Sequence, residues 1–419
     1  MTVESRDSDS SYAHGLELEL DGALETEPGN RAGVMAGGVL LAIAVVLTAL
    51  NLRPAITSVG PLLGEMRGSL GASATWAGVL TTLPGLCFAG AGLAAPLLSR
   101  RFGIGAAISV ALAVLTAGLV LRVLDGPYVV LGGTLVATAG IALINVLIPV
   151  VIKGSFPARV GMMTGVYTAA LQGGGALGSS VAPPVSDAFG GWRIGLGSWS
   201  VLAAVALGVW ILAARGTGRA PAAEPGAAGS GRSLLRSPLA WIVTLFFGFQ
   251  AFLAYVVMGW LPEVLMDAGI TKGESGLLLG LMSLIAVPIS LIVAPMAARQ
   301  RSQSRWIVGL GVLGFAGMVG LMVAPAAAPL LWSVLVGLGM SVFSLALTVI
   351  ALRAKTGEDT ARLSGMAQGF GYLLAAVGPF LFGLLHDVTG GWTVPWLLML
   401  GVFVAQMVMG ALAGRPRYV

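Results

Sequence analysis

The chain has 419 residues, 57% of them hydrophobic and 10% charged, with a net charge of +5. A soluble globular protein needs about 25% charged residues to wet its surface, so most of this surface must face lipid, in keeping with a mean hydropathy of +0.92. The single cysteine, Cys87, excludes an internal disulfide, and two distant histidines, His14 and His386, leave no pattern for a metal cluster or any other cofactor.

In chain order, residues 1–33 come first, polar and acidic, with eight carboxylates in the first 30 positions. Such a stretch cannot bury enough apolar surface to order itself, which predicts a disordered cytoplasmic tail and not a targeting peptide. A helix crossing the bilayer needs about 20 apolar residues. Runs of that kind occupy 34–63, 75–98, 104–124, 128–152, 161–186 and 192–214. They resume at 239–266, 274–298, 305–325, 329–352, 362–387 and 393–413. The reading is therefore an all-α integral membrane protein with twelve transmembrane helices in two six-helix bundles, 34–214 and 239–413. The stretch 215–238 between them, rich in Gly, Ala, Pro, Ser and Arg, reads as a flexible cytoplasmic linker, and 414–419 as a short cytoplasmic tail. With both termini inside, 18 of the 23 Lys and Arg residues fall on the cytoplasmic side and Arg67, Arg122, Arg193 and Lys272 on the outer side. That asymmetry is a topology signal, so the basic surplus does not point to nucleic acid.

The first run contains Pro54 and Pro61 and is too long for one straight span, which predicts a bent or unwound helix. Arg53 lies about 20 residues into it, near mid-membrane, where an arginine costs about 2.5–3.5 kcal/mol unless it faces a cavity or a partner. No carboxylate sits in the middle of any span: Glu65, Glu263 and Asp267 fall near outer helix ends, and Asp187 and Asp387 in outer turns. Arg53 is thus read as the centre of an anion site, a guanidinium being suited to planar oxyanions. The alternative is an arginine held by carbonyls freed at Pro54. Further candidate substrate-binding residues are Asn145 on the fourth span, Tyr167 and Gln172 on the fifth, Gln250 and Tyr255 on the seventh, and Gln368 and Tyr372 on the eleventh. For each, a bond to a neighbouring helix or aromatic packing is the competing reading. Gln172 precedes three glycines, 173–175, which either pack helices closely or notch the site. Glu263, after Pro262, is the candidate for proton coupling. His386-Asp387 could relay protons, or the aspartate could cap the following turn.

The two halves repeat. Asp187-Ala-Phe-Gly190-Gly191-Trp192 recurs as Asp387-Val-Thr-Gly390-Gly391-Trp392, and Ala95-Pro96 with Arg100 recurs as Ala294-Pro295 with Arg299. Lys153 matches Arg353, and Ala158-Arg159 matches Ala361-Arg362. Six spans separate the copies, so the repeat is parallel, the layout of two bundles related by an axis along the membrane normal.

Several stretches resemble the cyanate/2-nitroimidazole transporter family of the major facilitator superfamily. They are the first-span sequence Leu50-Asn51-Leu52-Arg53-Pro54-Ala55-Ile56-Thr57-Ser58-Val59-Gly60-Pro61-Leu62-Leu63, the seventh-span stretch with Gln250, Tyr255 and Trp260-Leu261-Pro262, and the segments Asn145 to Pro157 and Phe343 to Arg353. The superfamily's acidic residue before Arg-x-Gly is absent: Arg100 stands there in Leu98-Ser99-Arg100-Arg101-Phe102-Gly103. The resemblance implies a secondary transporter of the cell membrane that moves a small anionic or nitrogen-rich molecule by alternating access. Efflux of a drug or metabolite is the alternative. A nucleophile–base pair, an ordered soluble output domain and a GxxxxGK[ST] loop are missing from the sequence, which argues against an enzyme, a receptor and an ATP-driven pump. The expected partners are a small-molecule substrate and membrane lipid, with the chain acting as a monomer.

Overall fold

The computed structural model describes residues 28–156, 159–214, 234–355 and 357–419. Most of the expected N-terminal tail (1–27) and of the linker (215–233) lie outside the described residues. The first span consists of helical segments Pro28–Asn51, Pro54–Thr57 and Val59–Leu70. The second to sixth are Ala74–Phe102, Ile104–Leu121, Pro127–Ser155, Val160–Phe189, and Trp192–Gly197 with Trp199–Ala214. The seventh is Pro238–Asp267, and the eighth joins Lys272–Pro288 to Ala294–Ala298 through a wide turn at Ile289–Val293. The ninth to twelfth are Ser304–Val323, Pro329–Met340 with Val342–Leu352, Gly357–Thr389 and Thr393–Ala413. Eleven of the twelve are long and apolar enough to cross a membrane. The fifth, of 30 residues, is long enough but dilutes its apolar side chains with glycine, serine and proline.

Helix begins at Pro28, six residues before the expected start of the first bundle. At the other end, 414–419 is tied down: Gln303 N–H donates to Gly414 O at 3.0 Å and Val419 N–H to Arg353 O at 3.0 Å.

The break in the first span follows from Pro54. Lacking an N–H, it leaves the Leu50 carbonyl without its helical donor, and its ring cannot continue an unbroken helix. The chain stops at Asn51 and restarts at Pro54, placing Arg53 in the gap. The fifth span is built to receive this irregular backbone. A Cβ at Gly174 would stand 2.3 Å from Leu50 O, and one at Gly178 would stand 2.4 Å from Thr57 Oγ1 and 2.6 Å from Pro54 Cα. Thr57 Oγ1 donates to Gly175 O at 2.8 Å. Small residues at membrane interfaces let backbones meet in this way. Gly178→Val is expected to lower the melting temperature of the detergent-solubilised protein, because overpacking of this kind costs about 1–3 kcal/mol. Gly173→Val, where a Cβ meets nothing within 4 Å, is the tolerated control.

The halves join at the basic-poor end, which carries the turns after the first, fifth, seventh and eleventh spans. There Leu62, Leu63, Met66 and Leu80 of the first half share one core with Trp260, Val264 and Phe382 of the second. Leu112, Ile141 and Ile148 belong to a separate core. The repeated Gly190 and Gly390 both adopt left-handed backbone, at φ of 94° and 66°, ending the fifth and eleventh spans where only glycine turns without strain.

Candidate functional site

Helix packing between the halves changes character along the membrane normal. At the basic-poor end it is close and polar. Arg67 on the first span pairs with Glu263 on the seventh, and Lys272 on the eighth pairs with both Glu65 and Asp187 on the first and fifth. Asp387 on the eleventh accepts from the Thr75 N–H at 2.6 Å and from Thr75 Oγ1 at 2.5 Å, at the start of the second. The two repeated aspartates therefore do not cap their own turns, as the sequence allowed; each reaches across to the opposite half. His386 lies against Trp392, with ring centroids 4.0 Å apart and the rings tilted by 36°.

Deeper in, backbones touch through glycine. A Cβ at Gly276 would lie 2.2 Å from Ser179 O, and one at Gly78 would lie 2.9 Å from Pro379 O. Thr82 Oγ1 donates to Ala376 O at 2.8 Å and Gln172 Nε2 to Ser283 O at 3.2 Å, both across the halves. Close approach continues to Gly85, where a Cβ would lie 3.0 Å from Ala376 Cβ, and thins beyond it. A Cβ added at Gly90 on the second span, Gly165 on the fifth, or Gly365 or Gly369 on the eleventh would meet nothing within 4 Å. The halves thus enclose a cleft that is shut at the basic-poor end and parts toward the basic-rich end.

Arg53 sits at the apex of this cleft. Its stem lies against Gly175, whose absent Cβ would be 3.2 Å from Arg53 Cδ. Among the described residues its guanidinium forms no ion pair and no hydrogen bond, so the carbonyls freed at Pro54 do not satisfy it. Tyr167, Tyr255 and Tyr372, drawn from both halves, lie near enough to act on its charge. Tyr167 donates to Asn145 Oδ1 at 3.0 Å, and Asn145 Nδ2 donates to Ile141 O at 3.1 Å, which brings Asn145 into the group through Tyr167. Gln172 contributes its bond to Ser283 one turn from Gly175.

Two expected residues make their hydrogen bonds within their own half. Gln250 is fully buried within the second half, donating to Met340 O at 2.9 Å and accepting from Gln406 Nε2 at 3.2 Å. It holds the seventh, tenth and twelfth spans together. Gln368 donates to Ser364 Oγ at 2.7 Å on its own helix. Glu263 is taken up by Arg67 in the polar closure.

Sequence reasoning missed two side chains here. Phe88 on the second span bridges the halves, its ring 5.3 Å from that of Tyr372 and 6.5 Å from that of Tyr255. Nothing in an apolar run marks such a ring. Arg122, expected on the outer surface, is fully buried and donates to Ala55 O at 2.6 Å, bracing the restarted first span. Its place at a helix end hid that role.

The polar closure carries a prediction. Ion pairs with exposed carboxylates are worth about 0.2–1 kcal/mol each, so Lys272→Gln, which removes two of them, is expected to bias the protein modestly toward opening at the basic-poor end. Alkylation of a cysteine introduced at Thr81 in a Cys87→Ser background reads this out. Thr81 is buried here, and unchanged labelling would refute the bias.

The sequence matches the Major Facilitator Superfamily over residues 39–379. The chain belongs to this superfamily. It is 37% identical to a 2-nitroimidazole transporter of Escherichia coli (strain K12) over 384 residues, covering 90% of this chain and 96% of that one. It is 30% identical to a cyanate transport protein of the same organism over 356 residues, covering 84% and 92%. The crystal structure of the nucleoside transporter NupG superposes with a TM-score of 0.73 at 11% identity, covering 89% of this chain and 99% of that one, which bears on the fold alone. This superfamily member is thus a multi-pass membrane transporter of small molecules and not an enzyme.

Proposed function

We propose that the protein moves a small anionic or nitrogen-rich organic molecule across the cell membrane by alternating access, with Arg53 as the anion-binding centre. The observation that carries this reading is the Arg53 guanidinium, unpaired among the described residues, at the apex of a cleft between the two halves. A cation at membrane depth is expensive to leave without a counter-charge, and a planar anion could take both edges of the fork. Tyr255 and Tyr372 are near enough to add hydroxyl donors, the Tyr167 hydroxyl being engaged by Asn145, while no carboxylate among the described residues competes for the charge at this depth. The names of the two Escherichia coli relatives, a nitroimidazole and a cyanate transporter, support a cargo of this size and charge. By the positive-inside rule the basic-rich end faces the cytoplasm, so the cleft opens inward and both termini are cytoplasmic.

A thermal-shift screen of the purified protein against small organic anions, neutral and anionic nitroimidazoles and lipophilic cations tests the reading. Stabilisation by the anions and nitroimidazoles supports it. Stabilisation by the cations alone would overturn it in favour of efflux of cationic compounds.

A further inference from the structure

The C-terminal residues are held in place by a set of bonds that transport does not call for. Gln303 N–H and Ser302 Oγ both bond to Gly414 O at 3.0 Å, and Ser304 Oγ donates to Ala411 O at 2.6 Å. Gly414 permits the approach, since a Cβ there would stand 2.6 Å from Ser304 N. Buried Arg353 donates to Gln303 Oε1, while Gln303 Nε2 donates to Ala297 O at 3.1 Å and Gln300 O at 2.8 Å. The segment closes with Val419 N–H on Arg353 O and with Lys355 Nζ 5.6 Å from the Tyr418 ring centroid. The result is a clasp fastening the end of the twelfth span to the turn between the eighth and ninth.

This clasp gathers like charges. Arg301 and Arg305 are two residues either side of Gln303, and Arg415 and Arg417 are one and three beyond Gly414, with Arg299 four before Gln303. All five are exposed, and none forms an ion pair among the described residues. Gathering five exposed guanidiniums on one rim works against folding by mutual repulsion, which makes that rim complementary to an anion. Directly beneath the rim the surface is apolar. Val308 and Val312 on the ninth span are 36% and 54% exposed, and Val404 and Val408 on the twelfth are 45% and 49% exposed. A free phosphate would use only the rim; a phospholipid would use the rim for its headgroup and the valine face for its chains.

We propose that this clasp is a binding site for an anionic phospholipid, its phosphate held by Arg301, Arg305, Arg415 and Arg417 and its acyl chains along the ninth and twelfth spans. The site lies within the second half alone and is independent of Arg53. The test uses the purified full chain in a neutral detergent, with phosphatidylglycerol, phosphatidylcholine or inorganic phosphate added, read by native mass spectrometry and thermal shift. Phosphatidylglycerol is expected to be retained and to raise the melting temperature, while phosphatidylcholine and inorganic phosphate do neither. The surface variant R301Q/R415Q/R417Q is expected to lose roughly tenfold or more in phosphatidylglycerol affinity, each charge near a membrane surface being worth about 1 kcal/mol. Equal retention of phosphatidylcholine, equal stabilisation by inorganic phosphate, or an unchanged triple variant would each overturn the proposal.

Discussion

Arg53→Ala is expected to abolish binding of an anionic cargo while leaving the protein folded. The guanidinium forms no bond among the described residues that truncation would break, so the two cores persist without it. Its contribution appears only when an anion arrives. Truncating one partner of a buried, hydrogen-bonded charge pair costs about 2–5 kcal/mol, which is roughly 30-fold to several-thousand-fold in affinity. Arg53→Lys keeps the charge but loses the planar fork, so an intermediate loss is expected for a planar oxyanion. Isothermal titration against the best anion from the thermal-shift screen gives the comparison. Retained anion affinity in a well-folded Arg53→Ala protein would remove Arg53 from the site.

Gly276→Val is expected to stop transport by a different route, barring the closed arrangement of the basic-poor end. The Cβ would stand 2.2 Å from Ser179 O and 3.0 Å from Pro183 Cγ. Ser179 O is backbone on the opposing half and cannot turn aside. The clash lies between the halves and not within one, so each bundle still folds and the halves must part. An overpacking penalty of about 1–3 kcal/mol moves a two-state balance roughly 5- to 150-fold. The Thr81→Cys reporter should therefore react faster with a maleimide, while counterflow of the cargo falls. Gly273→Val, where a Cβ meets nothing within 4 Å, should transport normally. If Gly276→Val also transported normally, this closure would not belong to the working cycle.

Much of this architecture is legible in the amino-acid sequence alone. Apolar runs of membrane length declare themselves because lipid tolerates little else, and the doubled Asp-x-x-Gly-Gly-Trp signature gives away the repeat. Arg53 stands out for the same reason that it matters, its cost in hydrocarbon. What the sequence could not supply was helix rotation. The seventh span is apolar all round and buried on most of its surface, so no periodicity tells that Tyr255 faces the cleft while Gln250, five residues before, faces its own bundle. Likewise, the repeated aspartates look alike in sequence whether they cap a turn or reach across an interface; only the relative placement of the two halves separates those roles. Phe88 was invisible because a phenylalanine in a hydrophobic run carries no polar mark.

That placement of the aspartates has a consequence for how the protein can open. Asp187 ties the fifth span to the eighth, and Asp387 ties the eleventh to the second, so the two fastenings sit on opposite flanks of the pseudo-twofold axis. Lys272→Gln frees the first flank and leaves the second in place, with Arg67–Glu263 between them, so each flank is expected to add its own share to holding this end shut.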